Sequence, residues 1–193
     1  MQPRMIVIAG PPGSGKSTLY PVSSFGVACF NADERAAALN GGSYVGISRQ
    51  IREQVNGEFE AFVLDCIAKR VSFAVETTLR SEATFEQARL AKAAGFIVEM
   101  RYLALQSFSL HLERVKARAD AGGHSAPEVE LKRSYGPSLN NLPRAVRAVD
   151  ELRVYDNTAI DASHPLVLEA RGGEICFLAE DPPGWLRRAL NLV

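Results

Sequence analysis

The stretch MIVIAGPPGSGKSTLY, residues 5–20, joins an apolar run to a glycine-rich loop and an expected helix. Within it, GPPGSGKS matches G-x-x-x-x-G-K-[ST], a pattern that binds phosphates when it lies between a strand and a helix. Gly13 and Gly15 permit conformations that turn N–H groups toward phosphate oxygens. Lys16 would reach the phosphates and Ser17 would bind Mg²⁺, whereas an ordinary glycine turn is the alternative. The predicted nucleotide contacts are Gly10, Pro11, Pro12, Gly13, Ser14, Gly15, Lys16, Ser17 and Thr18.

Short strand-like runs alternate with longer helical patterns along the chain. This alternation predicts βαβ units and a three-layer α/β fold with a mainly parallel sheet. Two runs around Gly172-Gly173 predict a C-terminal β-hairpin or an antiparallel edge. We expect one domain over 1–193, with strands over 4–10, 27–33, 73–78, 96–105 and 152–158, and helices from Lys16, over 48–70 and from Ser81 to Gly95.

Charge and composition narrow the classes of partner. The 193 residues include 22 basic and 22 acidic side chains, so no excess positive charge favours nucleic acid or a membrane surface. Cys29, Cys66 and Cys176 are too few and too dispersed for a disulfide framework, which fits a reducing compartment. Because the sequence has no signal peptide and no bilayer-length apolar run, the expected location is cytoplasmic.

Two carboxylates lie where predicted strands end. Asp33 closes the second strand, and Glu76 lies near the end of the third. Ligands of open α/β sheets bind beyond the carboxyl ends of strands, so both side chains are expected beside the γ-phosphate of a nucleotide. Asp33 is a candidate base for an attacking hydroxyl, and Glu76, supported by Thr77, is a candidate substrate ligand. The alternatives are a helix N-cap at Asp33 and an ion pair at Glu76.

Two arginine-bearing helices are expected between residues 107 and 140. Arg114 and Arg118 share one face of the first helix, and Arg133 lies on the second. Such helices, joined by a glycine-bearing loop, suit a lid that stabilises a transferring phosphoryl group, although a solvated basic face has the same pattern. The three histidines lack metal-ligand spacing, so surface or loop roles are expected for them. His124, in the glycine-bearing loop, is also a candidate substrate contact.

Several segments occur in an order that resembles one known family. IAGPPGSGKST, FNADE, VETTL, RVKARADAGGHSAPEVELKRSYGPSLNNL and VYDNT, spread over residues 4–158, are together similar to the zeta-toxin-like P-loop kinases, especially their short stand-alone bacterial branch. The resemblance implies the P-loop kinase fold, ATP or GTP as the phosphoryl donor, and Mg²⁺ as cofactor. It also implies the 3′-hydroxyl of UDP-N-acetylglucosamine as acceptor and an antitoxin as a protein partner.

The resemblance also implies roles for single residues. Lys16 and Ser17 match the positions that hold the nucleotide and Mg²⁺ in this family. Asp33 matches its catalytic base, and Glu76 matches its substrate-binding acid.

The arginines carry the remaining part of the resemblance. Arg118 and Arg133 best match the two arginines that clamp the phosphates, and Arg114 could replace Arg118. Arg80 departs from the small residue familiar at that position, so it is a candidate substrate contact with an effect on specificity. The acceptor could instead be another metabolite, an antibiotic or a nucleic-acid end. A catalytically weak nucleotide-binding interaction module is an alternative of a different class.

Overall fold

One seven-stranded sheet organises the computed structural model, which describes residues 2–121, 127–159 and 164–192. The strands are β1 (Arg4–Ala9), β2 (Ala28–Phe30), β3 (Phe73–Thr77), β4 (Ile97–Ala104), β5 (Glu151–Asp156), β6 (Leu166–Arg171) and β7 (Glu174–Leu178). Their order in the sheet is β2-β3-β1-β4-β5-β6-β7. The first five strands in this order are parallel, and β6 and β7 add antiparallel pairs at one end. The predicted parallel sheet with an antiparallel edge is confirmed.

Helices connect most of the strands. In the described residues they are α1 (Lys16–Leu19), α2 (Ala32–Leu39), α3 (Arg49–Lys69), α4 (Ala83–Ala93), α5 (Phe108–Asp120), α6 (Glu128–Asn140), α7 (Leu142–Ala148) and α8 (Gly184–Leu190). The first helix is a single turn because Pro21 disfavours a helical conformation at Tyr20, and a 3₁₀ turn follows over Val22–Phe25. The fourth begins after the predicted Ser81, with Glu82 as its N-cap. None of these described helices could cross a membrane.

The two faces of the sheet are covered unequally. Alternate residues of a strand point to opposite faces, so β1 divides its side chains between two apolar clusters. The larger cluster joins Met5, Val7 and Ala9 to buried side chains of α3, α4, α7 and α8. The smaller cluster contains Ile6 and Ile8 under Val22 of the 3₁₀ turn and the partly buried Leu19 of α1. The third layer is therefore present but small, because the helix after the glycine loop is short.

A buried histidine ties α5 to the glycine loop. The side chain of His111 is 2% exposed, so the surface or loop role expected for the histidines is wrong at this position. Its Nδ1 lies 2.9 Å from the carbonyl oxygen of Pro12, and its Nε2 accepts a hydrogen bond of 3.1 Å from the amide of Leu105. Since a carbonyl can only accept and an amide can only donate, Nδ1 carries the proton and the imidazole is neutral.

Protonation of His111 should destabilise the fold. Burial lowers the pKa of His111 from 6.5 to about 4. The hydrogen bond to Pro12 opposes this shift, whereas the positive charges of Lys16 and Arg114 lower the pKa slightly further. The unfolded chain therefore binds a proton at a pH where the folded chain does not. The contribution to stability is complete above pH 6.5 and should fall by about 2 kcal/mol by pH 5, as measured by urea unfolding across that range.

The matched variant for this measurement is His111→Gln, which cannot titrate. It should unfold at lower urea than the wild type at pH 7.5 but show a flatter dependence of stability on pH between about 6.5 and 5. Parallel pH profiles for the two proteins would contradict the assignment of this acid sensitivity to His111.

Candidate active site

The glycine loop turns sharply between β1 and α1. Gly13 and Gly15 have φ angles of +77° and +91°, a region that residues with a side chain rarely adopt. A Cβ on Gly13 would lie 2.6 Å from the backbone oxygen of His111, and one on Gly15 would clash with Nδ2 of Asn157. Both glycines thus have the unusual backbone conformation that was predicted, and each also permits close packing against the loop.

Two side chains from other parts of the chain hold carbonyl groups of the loop. The imidazole of His111 donates to the carbonyl of Pro12, and Nδ2 of Asn157 donates to the carbonyl of Ser14 over 2.9 Å. Asn157 is 7% exposed. The amides of Gly13, Gly15, Lys16 and Ser17 donate to no acceptor within the described part of the chain. The loop therefore offers several N–H groups to an anion.

Lys16 folds back over the loop. Its Nζ donates to the carbonyls of Gly10 at 2.9 Å and Pro11 at 3.2 Å, and lies 3.6 Å from Oε1 of Glu76. Burial lowers the pKa of Lys16, and the nearby carboxylates of Glu76 and Asp33 oppose this shift. The predicted ion pair at Glu76 exists, and its partner is the lysine of the loop. An anion on the loop would meet a positive charge that is already in place.

A cleft of about 790 Å³ opens in front of the loop, where β1, β3 and β5 end. It brings together most of the residues predicted to act in catalysis or substrate binding. These are Lys16, Ser17, Asp33, Glu76, Arg114 and Arg118, which line the cleft with Pro12, Gly13, Gly15 and Thr18 of the loop. A volume of this size is in the range of a nucleotide site.

Asp33 reaches the cleft from a helix and not from a strand. The cap of α2 is Asn31, whose Oδ1 accepts hydrogen bonds from the amides of Asp33 and Glu34. β2 consequently ends at Phe30, short of the predicted strand 27–33. Asp33 is exposed in the first turn of α2, and the N-cap alternative for this residue is wrong. A negative side chain is favourable at this end of a helix.

Arg114 and Arg118 line different parts of the cleft. Nη2 of Arg114 donates to the backbone oxygen of Thr158 at 3.3 Å, and Nη1 would lie 3.9 Å from a Cβ on Gly15. Arg118 is one turn further along α5, and its charge lowers the pKa of Lys16. Arg114 is therefore held against the loop. Arg118 instead affects the pKa of Lys16, which pairs with Glu76.

Two predicted arginines lie outside the cleft. Arg133 projects from the exposed side of α6 and forms an ion pair with Glu130, three residues earlier, at 3.3 Å. Arg80 is exposed and donates to Oγ of Ser134 at 3.3 Å. Neither lines the cleft in this structure, and each has a partner on α6. A phosphate clamp at Arg133 and a substrate contact at Arg80 are not supported by these positions.

Thr77 and His124 complete the set of predicted residues. The hydroxyl of Thr77 lies 3.1 Å from that of Thr84 and accepts a hydrogen bond from the amide of Leu79, so it braces the turn after β3. Thr78, its neighbour, lines the cleft instead. His124 lies outside the described residues.

Asn157 is a polar cleft residue that sequence reasoning did not single out. It lies in the stretch 152–158 that was predicted to be a strand, but β5 ends at Asp156. The carboxylate of Asp156 accepts a hydrogen bond from the amide of Thr158, which turns the chain and leaves Asn157 facing the loop. A polar amide directly after a parallel strand was the available signal.

Comparisons with known proteins agree with this architecture. No family model matches the chain. An uncharacterized protein of Haemophilus influenzae is 29% identical over 136 residues, which cover 70% of this chain and 94% of that protein. A chain of the AvrRxo1-ORF1:AvrRxo1-ORF2 complex, also known with ATP, superposes with a TM-score of 0.74 at 18% identity, covering 98% of this chain and 64% of its own. This chain thus spans less than two thirds of that neighbour.

A second structural neighbour belongs to the PezAT chromosomal toxin–antitoxin system of Streptococcus pneumoniae. It superposes with a TM-score of 0.59 at 16% identity, covering 84% of this chain and 70% of the neighbour. Likeness at this level of identity concerns the fold. The chain has a P-loop kinase fold, with the glycine loop, a mainly parallel sheet and an antiparallel edge in the arrangement described above.

Proposed function

We propose that this protein is a P-loop phosphotransferase that moves the γ-phosphoryl group of ATP or GTP to a hydroxyl group. The observation that carries the proposal is a single cleft that combines loop amides, which have no acceptor among the described residues, with Lys16, Asp33, Glu76 and Arg118. The amides and Lys16 would bind the donor phosphates. The carboxylates lie beside them, where an acceptor hydroxyl would approach.

The oxygen donors of the cleft fit Mg²⁺. Ser17 is exposed at the start of α1, and the carboxylates of Asp33 and Glu76 line the same cleft, so hard oxygen ligands are available. Within the described residues, no cluster of three acidic, histidine or cysteine side chains could hold a metal by itself. Ser17 would therefore hold Mg²⁺ together with phosphate oxygens of the donor. When bound, Mg²⁺ would neutralise negative charge on those phosphates.

Asp33 and Glu76 would have different roles toward the acceptor. The proposed base, Asp33, is solvent-exposed and accepts the proton of the acceptor hydroxyl as the bond from its oxygen to the γ-phosphorus forms. The bond from that phosphorus to the bridging oxygen breaks, and the nucleoside diphosphate leaves. Glu76 pairs with Lys16 at 3.6 Å in the free protein. Donor phosphates would compete for Lys16, which would leave the carboxylate of Glu76 available to a substrate hydroxyl.

The acceptor and a protein partner are the finer parts of the proposal. UDP-N-acetylglucosamine is proposed as acceptor because of the sequence resemblance, and two carboxylates near one another could each contact a hydroxyl of one sugar ring. An antitoxin-type partner is proposed because the structural neighbours come from a two-protein complex and from a toxin–antitoxin system. An interaction module without turnover would bind nucleotide but release no ADP.

Replacing the proposed base should abolish most turnover. We expect Asp33→Asn to lower kcat by about 10²–10⁴-fold with little change in nucleotide affinity, because a general base acts only on the chemical step. ADP release from ATP and Mg²⁺ measures turnover. Glu34→Gln is the matched control, because Glu34 lies in the same turn of α2 but does not line the cleft. Equal activity of Asp33→Asn and Glu34→Gln would remove Asp33 from catalysis.

Charge on α5 should matter to the transition state. Arg118→Ala should lower kcat by about 10²-fold or more while nucleotide affinity changes less, because the proposed interaction strengthens as the phosphoryl group transfers. Lys116→Ala removes a nearby positive charge of α5 that does not line the cleft, and it should keep its activity. A loss in Arg133→Ala as large as that in Arg118→Ala would return Arg133 to the phosphate clamp that the resemblance implies.

The proposed acceptor can be tested directly. Incubation with ATP, Mg²⁺ and UDP-N-acetylglucosamine should yield a sugar nucleotide heavier by one phosphoryl group in mass spectrometry. Asp33→Asn should form little of it, which separates enzymatic product from contamination. Turnover of another hydroxyl compound, with UDP-N-acetylglucosamine unchanged, would keep the phosphotransferase proposal and reject this acceptor.

A further inference from the structure

The hydrogen bond that His111 donates to Pro12 restricts the direction in which the amide of Gly13 points. The carbonyl of Pro12 and the N–H of Gly13 belong to one planar peptide, so they point in opposite directions. His111, which does not line the cleft, binds that carbonyl at 2.9 Å. Gly13 itself lines the cleft, and its amide has no acceptor in the described chain.

Restraint of this peptide matters because glycine follows it. A peptide unit beside glycine rotates at little steric cost, since both signs of φ are accessible. Rotation would bring the Pro12 carbonyl into the cleft, where its partial negative charge would repel phosphate. Asn157 holds the peptide between Ser14 and Gly15 in the same way, through the Ser14 carbonyl. The loop thus has a side-chain clamp on each of these two peptides.

His111 is itself well fixed. Its Nε2 is bound by the amide of Leu105 at the end of β4, and its ring centre lies 5.2 Å from that of Tyr135 on α6. The backbone oxygen of His111 also lies next to Gly13. The imidazole therefore connects the loop, the sheet and both helices of the predicted lid, and its 2% exposure excludes competing water.

We propose that His111 is a positioning residue for the donor phosphates, which aims the amide of Gly13 into the cleft by holding the carbonyl of Pro12. The inference rests on the proposed function, since it assumes that phosphates bind the loop. It assigns His111 no contact with the substrate and no role in proton transfer.

Two substitutions separate the two hydrogen bonds of the ring. In His111→Asn, the amide nitrogen can take the place of Nδ1 and donate to Pro12, but nothing accepts from Leu105. In His111→Gln, the amide oxygen can take the place of Nε2 and accept from Leu105, but the donor to Pro12 is lost. Both variants should be less stable than the wild type, and only His111→Gln should lose phosphate affinity.

The measurement is calorimetric binding of inorganic tripolyphosphate and of ATP to the full chain, with stability measured by urea unfolding. We expect His111→Gln to bind both probes about tenfold more weakly, as loss of one oriented charge-assisted hydrogen bond predicts, and His111→Asn to stay within about threefold of the wild type. Leu168→Ala, fully buried on β6 and outside the cleft, is the control for lost stability and should keep wild-type affinity.

A second measurement does not depend on how the variants fold. The ¹⁵N chemical shifts of the His111 ring in the wild type should report a proton on Nδ1, and a proton on Nε2 would overturn the inference. So would wild-type affinity in His111→Gln, or equal losses of affinity in both His111 variants. If the wild type binds neither tripolyphosphate nor ATP, the proposed function falls together with this inference. If the wild type binds and His111→Gln binds equally well, only the role of His111 is lost.

Discussion

A planar peptide cannot turn its N–H toward a ligand without turning its carbonyl away, and the glycine loop depends on this constraint. When such an amide faces an anion, the carbonyl of the same peptide points away from it and needs a hydrogen-bond donor of its own. Here His111 and Asn157 bind the carbonyls of Pro12 and Ser14, each at 2.9 Å. They come from α5 and the segment after β5, so the arrangement of the loop depends on the packing of distant parts of the chain.

The order of the strands explains why those parts meet. β1, which leads into the loop, lies between β3 and β4, and β5 follows β4. Because these strands are parallel, the residues that follow each of them emerge at one edge of the sheet. Glu76 comes from β3, Leu105 follows β4, and Asn157 follows β5. Chain positions more than 140 residues apart, such as Ser14 and Asn157, are thereby brought within hydrogen-bond distance.

Sequence reasoning succeeded where the local pattern determines the structure. The apolar run of β1, the glycines with positive φ and the hairpin at Gly172-Gly173 follow from steric rules that act over a few residues. The sequence also predicted that Asp33 and Glu76 lie near one another, and both line the cleft. Asp33 lies on a helix and not at the end of a strand, because Asn31 is the N-cap of α2. The rule that ligands bind beyond the carboxyl ends of parallel strands was enough to predict that both carboxylates line one site.

The sequence does not predict which partner each side chain has in the fold. Arg133 forms an ion pair with Glu130 on its own helix and does not line the cleft. The hydroxyl of Thr77 is used by Thr84. His111 donates a hydrogen bond to Pro12, which is 99 residues away in sequence. No periodicity or spacing in the sequence reports a long-range contact such as that between His111 and Pro12.

Helix α5 combines a fixed end with a charged end. His111, Arg114 and Arg118 are separated by three and four residues, a spacing that places all three on one side of the helix. The first of them is bonded to the loop, the second to the backbone of Thr158, and the third lines the cleft. With a rise of about 1.5 Å per residue, Arg118 lies about 10 Å along the helix from His111. The hydrogen bond between His111 and Pro12 thus fixes α5 against the loop. It thereby restricts the positions that the guanidinium groups of Arg114 and Arg118 can take in the cleft.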